Sequence, residues 1–329
     1  MRSLTAGVLS RLADGGFHSG EALARSLEVS RASVWNAVRD LEATGIEIYK
    51  VHGRGYRLQY PVTLLDRAAV ARHLGTHAGR FTLDSRDTVD STNTRLLERA
   101  AAGAPGGMVL AAEWQSGGRG RLGRAWHAGV GEALTFSLLW RSARGAGALS
   151  GVTLAVGVAL ARALESAGAG SIALKWPNDI LWRKGKLAGV LTELQGDALG
   201  PTAVVIGVGI NVRLSEATRA RIGQAAAALE TAGEAAPDRN PLLAGVLIEL
   251  DRVLEVFGRE GFAPLRDEWQ RRHARQGKRV TLTLPDGSRR SGRPLGVAED
   301  GALLLETRSG TQRFHSGEIT VRPQKTGDE

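Results

Sequence analysis

The sequence predicts an α+β protein of three domains: a winged helix-turn-helix over residues 1–62, a mixed α/β domain over 66–275 and a small β-barrel over 276–325. The composition changes at Tyr60-Pro61-Val62, which predicts the first boundary. The middle segment mixes apolar runs of strand length with longer amphipathic stretches. From Gly277 onwards, short β-like pieces alternate with Pro-Asp-Gly, Glu-Asp-Gly and Arg-Ser-Gly turn signals, a pattern typical of a small barrel.

The N-terminal segment has the signals of two short helices and a hairpin. Ser19 and Ser30 are placed to cap the two helices, and the second helix is expected to end at Gly45. Residues 46–51 and 56–58 then have the composition of two strands joined by a basic, glycine-containing loop. This order predicts a helix-turn-helix with a wing.

The second of these helices is amphipathic. Its apolar face repeats at helical spacing and contains Val34, Val38 and Leu41. The opposite face is predicted to be small and polar, and it contains Ala32, Asn36, Arg39 and Ala43, with Ser33 and Asp40 at its flanks.

The central segment alternates between strand-like and helix-like runs. Four runs have the composition of strands: 109–114, 134–140, 187–194 and 204–212. Two runs have helical periodicity: 151–167 and 241–257. The Ala-rich run 223–237 fits either a weakly periodic helix or a loop. Together these runs predict an α+β or mixed-sheet domain.

Composition limits the possible functions. The chain carries 43 Lys and Arg against 34 Asp and Glu, so a surface that attracts phosphate or an acidic protein is expected. The absence of cysteine excludes disulfides, thiolate chemistry and cysteine-ligated zinc, and it favours a reducing compartment. No secretory apolar region follows Met1, and the longest apolar run stops at Arg162. We therefore expect a soluble, cytoplasmic protein without a membrane partner.

The stretch from Gly117 to Trp126, GGRGRLGRAW, contains a Gly-x-Gly-x-x-Gly pattern. A dinucleotide fingerprint also requires a helix that opens at the glycines and a carboxylate about 20 residues further on, and neither follows here. The companion motifs of P-loops and kinases are missing as well. What remains is a backbone able to approach an anion closely, with Arg119, Arg121 and Arg124 as donors. Taken alone, the stretch fits a solvated glycine-arginine surface loop better, by roughly two to one.

Three further segments contain residues suited to chemistry. KWPND, which ends at Asp179, places a cation, an amide and a carboxylate around a proline turn. Lys186 stands at the start of a strand-like run, and Gly207 and Gly209 interrupt another, which indicates close approach of a ligand or another backbone. Taken singly, these features also fit an ordinary turn, a snorkelling surface lysine and core packing.

Taken together and in chain order, six motifs resemble those of the biotin protein ligases: Asp90-Ser91-Thr92-Asn93, GRGRLGRAW, KWPND, KLAGVLTEL, VIGVGINV and Asp238-Arg239-Asn240. The segment from His18 to Tyr56 is similar to the DNA-binding domain of the bifunctional subgroup, the bacterial ligases that also repress the biotin operon. The resemblance covers nearly the whole chain. It implies that the central domain is the ligase domain and that the terminal barrel is SH3-like.

The resemblance implies two half-reactions. Biotin and ATP with Mg²⁺ give biotinyl-5'-adenylate and pyrophosphate, and a lysine of the biotin carboxyl carrier protein of acetyl-CoA carboxylase then takes the biotinyl group. It also implies that the adenylate-bound form is a homodimer that binds operator DNA. Two alternatives stay open: a non-catalytic, ligand-sensing transcription factor, and an acyl-adenylate enzyme of the lipoate ligase class.

Motif by motif, the resemblance also implies roles for individual residues. Biotin would be held by Ser91, Thr92, Asn93, Gln115, Arg119, Gly120, Arg121 and Lys186. The catalytic groups would be Lys186, Arg119, Arg121 and Asp179. Close backbone approach would occur at Gly118, Gly207 and Gly209, and further adenylate contacts would come from Lys175, Asn178 and Asn211. Mg²⁺ arrives with ATP, and no protein ligand set for a metal is assigned. Asn178 and Asp179 would assist either through Mg²⁺ or through the acceptor lysine.

The resemblance also implies roles for the loop that ends at Trp126 and for the residues that contact DNA. Trp126 would anchor the loop, whose glycines predict that it is mobile without ligand and orders over the adenylate. The residues implied to contact DNA are Arg31, Ser33, Asn36 and Arg39 in the groove and Arg54 on the wing. Two features depart from the family. Leu122 stands where related loops often carry a basic residue, and residues 222–237 contain no aromatic to stack on adenine.

Overall fold

The computed structural model describes residues 3–196, 200–230 and 236–321. The chain forms two compact units, one made of Met1–Leu139 with Val205–Ala244 and the other of Trp140–Val204 with Gly245–Glu329. In chain order, the regular elements are α1 (Ser3–Leu12), α2 (Gly20–Ser26), α3 (Arg31–Glu42), β1 (Ile48–Val51), β2 (Gly55–Leu58), α4 (Arg67–Leu74), β3 (Thr82–Val89), α5 (Thr92–Ala101), β4 (Met108–Gln115), β5 (Ala133–Ser142), α6 (Val152–Ser166), β6 (Ala173–Lys175), β7 (Asp179–Trp182), β8 (Gly185–Gly196), β9 (Thr202–Asn211), α7 (Glu216–Ile222), α8 (Arg239–Glu260), α9 (Ala263–Arg271), β10 (Val280–Thr283), β11 (Arg289–Val297), β12 (Leu303–Thr307), β13 (Gly310–Phe314) and β14 (Glu318–Val321).

The first unit begins with the winged helix-turn-helix. Ser19 Oγ accepts a hydrogen bond from Ala22 N at the start of α2, and Ser30 Oγ accepts one from Ser33 N at the start of α3. Strands β1 and β2 form the antiparallel wing. The apolar faces of α1, α2 and α3 share one core, in which Val8, Leu9, Leu12, Leu23, Val34, Val38 and Leu41 are buried. The predicted fold of this segment is confirmed.

The same unit holds four strands in the order β3-β4-β5-β9. β3 is parallel to β4, so the chain must cross over between them, and α5 is that crossover. Leu96 and Ala100 form the buried side of α5. β9 is buried along its whole length, which explains its nearly continuous apolar sequence.

The second unit holds three strands in the order β8-β7-β6 and a five-stranded antiparallel sheet in the order β13-β12-β11-β10-β14, which is the predicted C-terminal barrel segment. α6 is apolar on all sides because it is a core helix. The segment from Ala146 to Ser166 is long and apolar enough to span a membrane, but 67% of its most apolar window is buried inside the protein.

The predicted central elements are all present. The four strand-like runs correspond to β4, β5, β8 and β9, and the two helix-like runs to α6 and α8. The sequence did not indicate α4, β3, α5, β6, β7, α7 and α9. Residues 223–230 contain no helix, and residues 231–235 of the Ala-rich run lie outside the described residues, as do 322–329. The predicted domain limits remain predictions.

Candidate active site

A buried cluster of uncharged polar side chains lies at the start of α5. Ser91 caps the helix, so Thr92 and Asn93 occupy its first turn with both side chains buried. Gln115, at the end of β4, accepts hydrogen bonds from Thr92 N at 2.8 Å and from Thr92 Oγ1 at 3.1 Å. Ser137 Oγ, on β5, lies 2.7 Å from Thr92 Oγ1 and 2.5 Å from Asn93 Oδ1. The cluster offers donors and acceptors without a net charge.

Ser137 belongs to this cluster, and Asp90 borders it. Ser137 was not among the predicted site residues, although a serine inside the apolar run LTFSLLW is a detectable signal. Asp90, just outside the cluster, is half-buried and ion-paired with Arg95 at 2.9 Å. The hydrogen bond from Ser91 N and the Arg95 guanidinium lower the pKa of Asp90 below its ordinary value, against a small effect of desolvation.

The two glycines of β9 lie against this cluster and the arginine loop. A Cβ atom at Gly207 would overlap the amide of Asn93, and one at Gly209 would lie 2.5 Å from the indole ring of Trp126. The predicted approach was that of a ligand or another backbone, whereas the groups that approach these two glycines in the first unit are Asn93 and Trp126. Both approaching groups are side chains.

The arginine loop, residues 117–126, is a closed turn of backbone. Trp126 N donates to Gly118 O at 2.9 Å, and Gly120 N donates to Arg124 O at 2.7 Å. Leu122 sits at the tip with a φ of 57° and 65% of its surface exposed. The Nε1 atom of Trp126 is buried and has no hydrogen-bond partner in the part of the chain that the structure describes. A buried donor of this kind is suited to an acceptor on a ligand.

The second unit contains a cluster of three charges. β6 and β7 form a tight hairpin in which Lys175 and Asp179 face each other, and β8 brings Lys186 alongside. Lys175 Nζ donates to Asp179 Oδ2 at 3.0 Å, and Lys186 Nζ lies 2.5 Å from Asp179 Oδ1. Less than a quarter of each side chain is exposed. Each lysine therefore has its position fixed by one carboxylate.

The titration of Asp179 reflects this arrangement. Burial favours the neutral acid, but the charges of Lys186 and Lys175 outweigh burial and lower the pKa of Asp179 below its ordinary value. Asn178, in the same turn, donates from Nδ2 to Val190 O at 2.8 Å and so ties the turn to β8. Within the described ranges, no three His, Asp or Glu side chains are grouped as a protein-held metal would need.

The motif Asp238-Arg239-Asn240 holds the segment that leads into the central domain. Arg239 is buried, and it donates to Glu113 Oε2 at 2.6 Å and to Thr63 O at 2.8 Å. Asn240 Nδ2 donates to Leu64 O at 3.1 Å, and Asp66 N donates to Asn240 Oδ1. This motif is therefore a structural clamp on residues 63–66.

Asn211 also has a structural contact. It stands at the end of β9 and is buried. Its Nδ2 atom donates to Ala227 O at 3.0 Å, and Leu229 N donates to Asn211 O at 3.1 Å. Asn211 therefore orders the backbone of residues 227–229.

The predicted DNA-facing residues lie on the exposed side of α3 and on the wing. Arg31, Asn36 and Arg39 are exposed, while Ser33 is half-buried and its hydroxyl lies 2.9 Å from Ser30 Oγ at the helix cap. On the wing, the exposed Arg54 packs over the ring of Phe17, 4.2 Å from its centroid.

The prediction of a small, polar face on α3 is wrong. Trp35 lies on this face with 47% of its surface exposed. The error arose because the apolar repeat was followed only along the core side of the helix. At 100° per residue, position 35 falls about 40° from position 39 and about 60° from position 32, on the side opposite the core.

The structure gathers the predicted site residues into two groups, one in each unit. The first unit holds Ser91, Thr92, Asn93, Gln115, Gly118, Arg119, Gly120, Arg121, Gly207, Gly209 and Asn211. The second unit holds Lys175, Asn178, Asp179 and Lys186. The first group combines uncharged polar side chains, which suit an uncharged polar ligand, with two arginines of the loop, and the second group suits an anion.

Comparison with known families covers all three segments of the chain. The model of the biotin/lipoate A/B protein ligase family matches residues 86–211. A helix-turn-helix domain model matches residues 8–57, and the model of the biotin protein ligase C-terminal domain matches residues 277–322.

Individual relatives extend the match over nearly the full length. The chain is 36% identical to the bifunctional ligase/repressor BirA of Salmonella typhimurium, over 96% of both chains, and 30% identical to that of Bacillus subtilis, over 93% of this chain and 94% of the relative. The solved biotin protein ligase of Aquifex aeolicus in complex with biotin and ATP has a TM-score of 0.62 at 30% identity, covering 73% of this chain and 98% of that one. The chain therefore belongs to the biotin protein ligase family, in the branch of bifunctional ligases and repressors.

Proposed function

We propose that the chain activates biotin with ATP and Mg²⁺ as biotinyl-5'-adenylate and transfers the biotinyl group to a lysine of the biotin carboxyl carrier protein. The observation that carries this proposal is the pair of lysines fixed by Asp179. Joining a carboxylate to a phosphate brings two anions together, so cations must already be in position when the bond forms. A lysine held by a buried carboxylate meets that requirement.

In the first step, an oxygen of the biotin carboxylate attacks the α-phosphorus of ATP. The bond from that phosphorus to the oxygen bridging to the β-phosphorus breaks, and pyrophosphate leaves. Lys186 stabilises the charge on the reacting oxygens, and Arg119 and Arg121 of the arginine loop provide further donors. Because both carboxylate oxygens of Asp179 already pair with lysines, Asp179 is a positioning residue. Mg²⁺ is bound mainly by the phosphates of ATP, so the metal needs few ligands from the protein.

The neutral cluster of the first unit supplies the partners for biotin. The ring end of biotin is uncharged and polar, so Thr92, Asn93 and Gln115 match it in chemistry. Gly207 leaves Asn93 the space to occupy this position, and the unpaired Nε1 of Trp126 is available to an acceptor on the ligand. A charged group in this cluster would bind such a ring less well.

In the second step, the neutral amine of the acceptor lysine attacks the acyl carbon. The bond from that carbon to the phosphate oxygen breaks, AMP leaves, and the amine gives up a proton to water. The mixed anhydride reacts with water as well, so a loop that covers it protects the intermediate. We assign this role to residues 117–126, and Arg121→Ala should release adenylate into solution faster than the unaltered protein does.

The N-terminal domain supports a second activity, the binding of operator DNA. Its helix-turn-helix fold, the cations of α3 and Arg54 on the wing suit a duplex. A two-fold operator is read by a dimer, and we propose that the adenylate-bound form dimerises to do so. These activities place the protein in the cytoplasm.

The ligase activity is tested by mass spectrometry of the carrier protein after incubation with the chain, Mg-ATP and either biotin or lipoate. A gain of one biotinyl group, with none from lipoate, is expected. Lys186→Met should abolish the gain, whereas Lys184→Met, which removes an exposed lysine two positions away, should leave it intact. Transfer of lipoate instead would assign the chain to lipoate chemistry, and transfer of neither acid would refute the enzyme proposal. A mobility-shift assay with and without biotin and ATP tests the DNA activity.

A further inference from the structure

Trp35 is the largest side chain on the exposed face of α3. Ala32, Trp35, Asn36 and Arg39 are all exposed and recur at i, i+3, i+4 and i+7, so they form one stripe along the helix. The buried residues Val34, Ala37, Val38 and Leu41 form the matching stripe on the core side. Trp35 therefore lies on the face that a helix-turn-helix directs to its ligand.

The Trp35 ring has a cation packed against it. The guanidinium carbon of Arg39 lies 4.9 Å from the centroid of the ring, within the range of a cation–π contact. This contact restricts the rotation of both side chains before any ligand arrives. Trp35 therefore presents a flat apolar surface, and the positive charge of Arg39 is packed against it.

The charges around Trp35 indicate a polyanion as the occupant of this face. Arg31 and Arg39 flank the ring along α3, and Arg54 on the wing is fixed over Phe17. The stripe itself contains no acidic residue, and Asp40 lies at its flank, 3.5 Å from the hydroxyl of Thr5. A duplex presents both the phosphates that these arginines suit and an apolar group that the ring suits, the methyl of thymine in the major groove.

We infer that Trp35 is a sequence-reading residue, which packs against the C5-methyl group of a thymine in the major groove while Arg39 braces the ring. The inference rests on the proposed binding of operator DNA and adds to it the base that this part of the helix selects. The recognition helix of such a motif contacts base edges mainly through its N-terminal half, and Trp35 is the fifth residue of α3. Each half-site is then required to carry thymine at one fixed position.

The experiment uses duplexes that the full-length protein selects from a random-sequence pool in the presence of biotin and Mg-ATP. Each thymine of a selected duplex is then replaced by deoxyuridine, which removes the methyl group and keeps the base pair. Burial of one methyl group is worth about fourfold in affinity, so at one position in each half-site the unaltered protein should bind about fourfold more weakly. Trp35→Ala should bind the original duplex at least about tenfold more weakly and should be indifferent to deoxyuridine at that position.

Two controls separate base reading from other effects. Leu295→Ala removes an apolar side chain of similar exposure from the barrel segment and should leave DNA binding unchanged. The dependence of affinity on salt should keep its slope in Trp35→Ala, because no phosphate contact is lost, whereas Arg54→Ala should lower the slope by about two, one for each protomer of the dimer. Trp35→Phe keeps an apolar ring and should retain part of the sensitivity to deoxyuridine, which preserves the test if Trp35→Ala folds poorly.

The outcomes distinguish this inference from the proposed function. If the unaltered protein selects no duplex, operator binding fails and the inference fails with it. If the protein binds and the Trp35 variants keep its full sensitivity to deoxyuridine, only the inference fails. If Trp35→Ala abolishes self-association in the absence of DNA, the ring serves a contact between two copies of the chain, which also overturns the inference. Biotin transfer to the carrier protein should be unchanged in every Trp35 variant.

Discussion

Replacing Asp179 by asparagine removes the charge that fixes two lysines and changes little else. The amide has nearly the size of the carboxylate, but it cannot balance Lys186, whose Nζ lies 2.5 Å from Oδ1, or Lys175 at 3.0 Å from Oδ2. The two ammonium groups then repel each other across a neutral side chain. We expect Lys186 to leave its position, and the activation of biotin to slow as a result.

The size of the effect follows from the role given to Lys186. Losing one preorganised group that stabilises developing charge slows an enzyme by about 100- to 1000-fold, or roughly 3 to 4 kcal/mol of transition-state stabilisation. Because the three side chains are mostly buried, breaking the cluster also costs roughly 3 kcal/mol of folding free energy. Binding of the ring end of biotin should be retained, since Thr92, Asn93 and Gln115 are untouched, whereas the contact of Lys186 with the biotin carboxylate is lost.

The assay is the biotin-dependent exchange of labelled pyrophosphate into ATP, which reports the first step alone. Asp87→Asn removes an exposed carboxylate elsewhere and should keep full activity. The double variant Asp179→Asn with Lys186→Met should be no slower than Lys186→Met, because the two residues act as one unit. The role given to Asp179 would be refuted if the exchange rate of Asp179→Asn lay within threefold of that of the unaltered protein. It would also be refuted if the loss of rate in the double variant were the full sum of the losses in the two single variants.

Three further predictions concern packing and pH. Gly207→Ala should weaken biotin binding about 10- to 100-fold by calorimetry, because the new methyl overlaps Asn93, whereas Gly147→Ala has free space and should bind normally. Arg239→Met should lower the free energy of unfolding in urea by about 3 to 5 kcal/mol, because Glu113 is left buried without its partner; adding Glu113→Gln should recover part of the loss. Burial, and to a smaller extent the charge of Arg275, lower the pKa of His273 to about 4. The unfolded chain therefore takes up a proton first as the pH falls, so the free energy of unfolding should drop by about 3 kcal/mol between pH 7 and pH 4, and His273→Leu should remove that drop.

Each of the three has a result that would contradict it. Normal biotin affinity in Gly207→Ala would mean that Asn93 does not shape the binding site. Unchanged stability in Arg239→Met would mean that the clamp on residues 63–66 contributes nothing. If the free energy of unfolding drops as much between pH 7 and pH 4 in His273→Leu as in the unaltered protein, the acid sensitivity comes from other groups.

Local signals in the sequence were sufficient for most of the fold. Ser19 and Ser30 cap the helices that they were predicted to cap, because a capping interaction depends only on residues three positions apart. The long apolar runs correspond to β4, β5, β8 and β9. They could be predicted because an alternating or continuous apolar sequence reflects the burial of one or both faces of a strand. α5 was missed because its single buried side is short and its sequence is otherwise polar.

The geometry of the site depends on contacts between residues far apart in the chain. Asn93 meets Gly207, and Arg239 meets Glu113, only because β4, β5 and β9 pair in one order, which no short window specifies. The KWPND motif was recognised as a turn, but the register of β6, β7 and β8 was needed to show that Asp179 pairs with two lysines. Trp35 was detectable from helical spacing alone, and the prediction overlooked it.

The central claim is that this chain makes an acyl-adenylate from biotin. The most direct measurement incubates the chain with biotin and ATP labelled at the α-phosphorus, separates the products, and then adds the carrier protein. We expect one labelled biotinyl-adenylate per site, stable until the carrier protein arrives and then converted to AMP as the carrier gains biotin. No labelled adenylate, or an adenylate that the carrier protein leaves intact, would contradict the account.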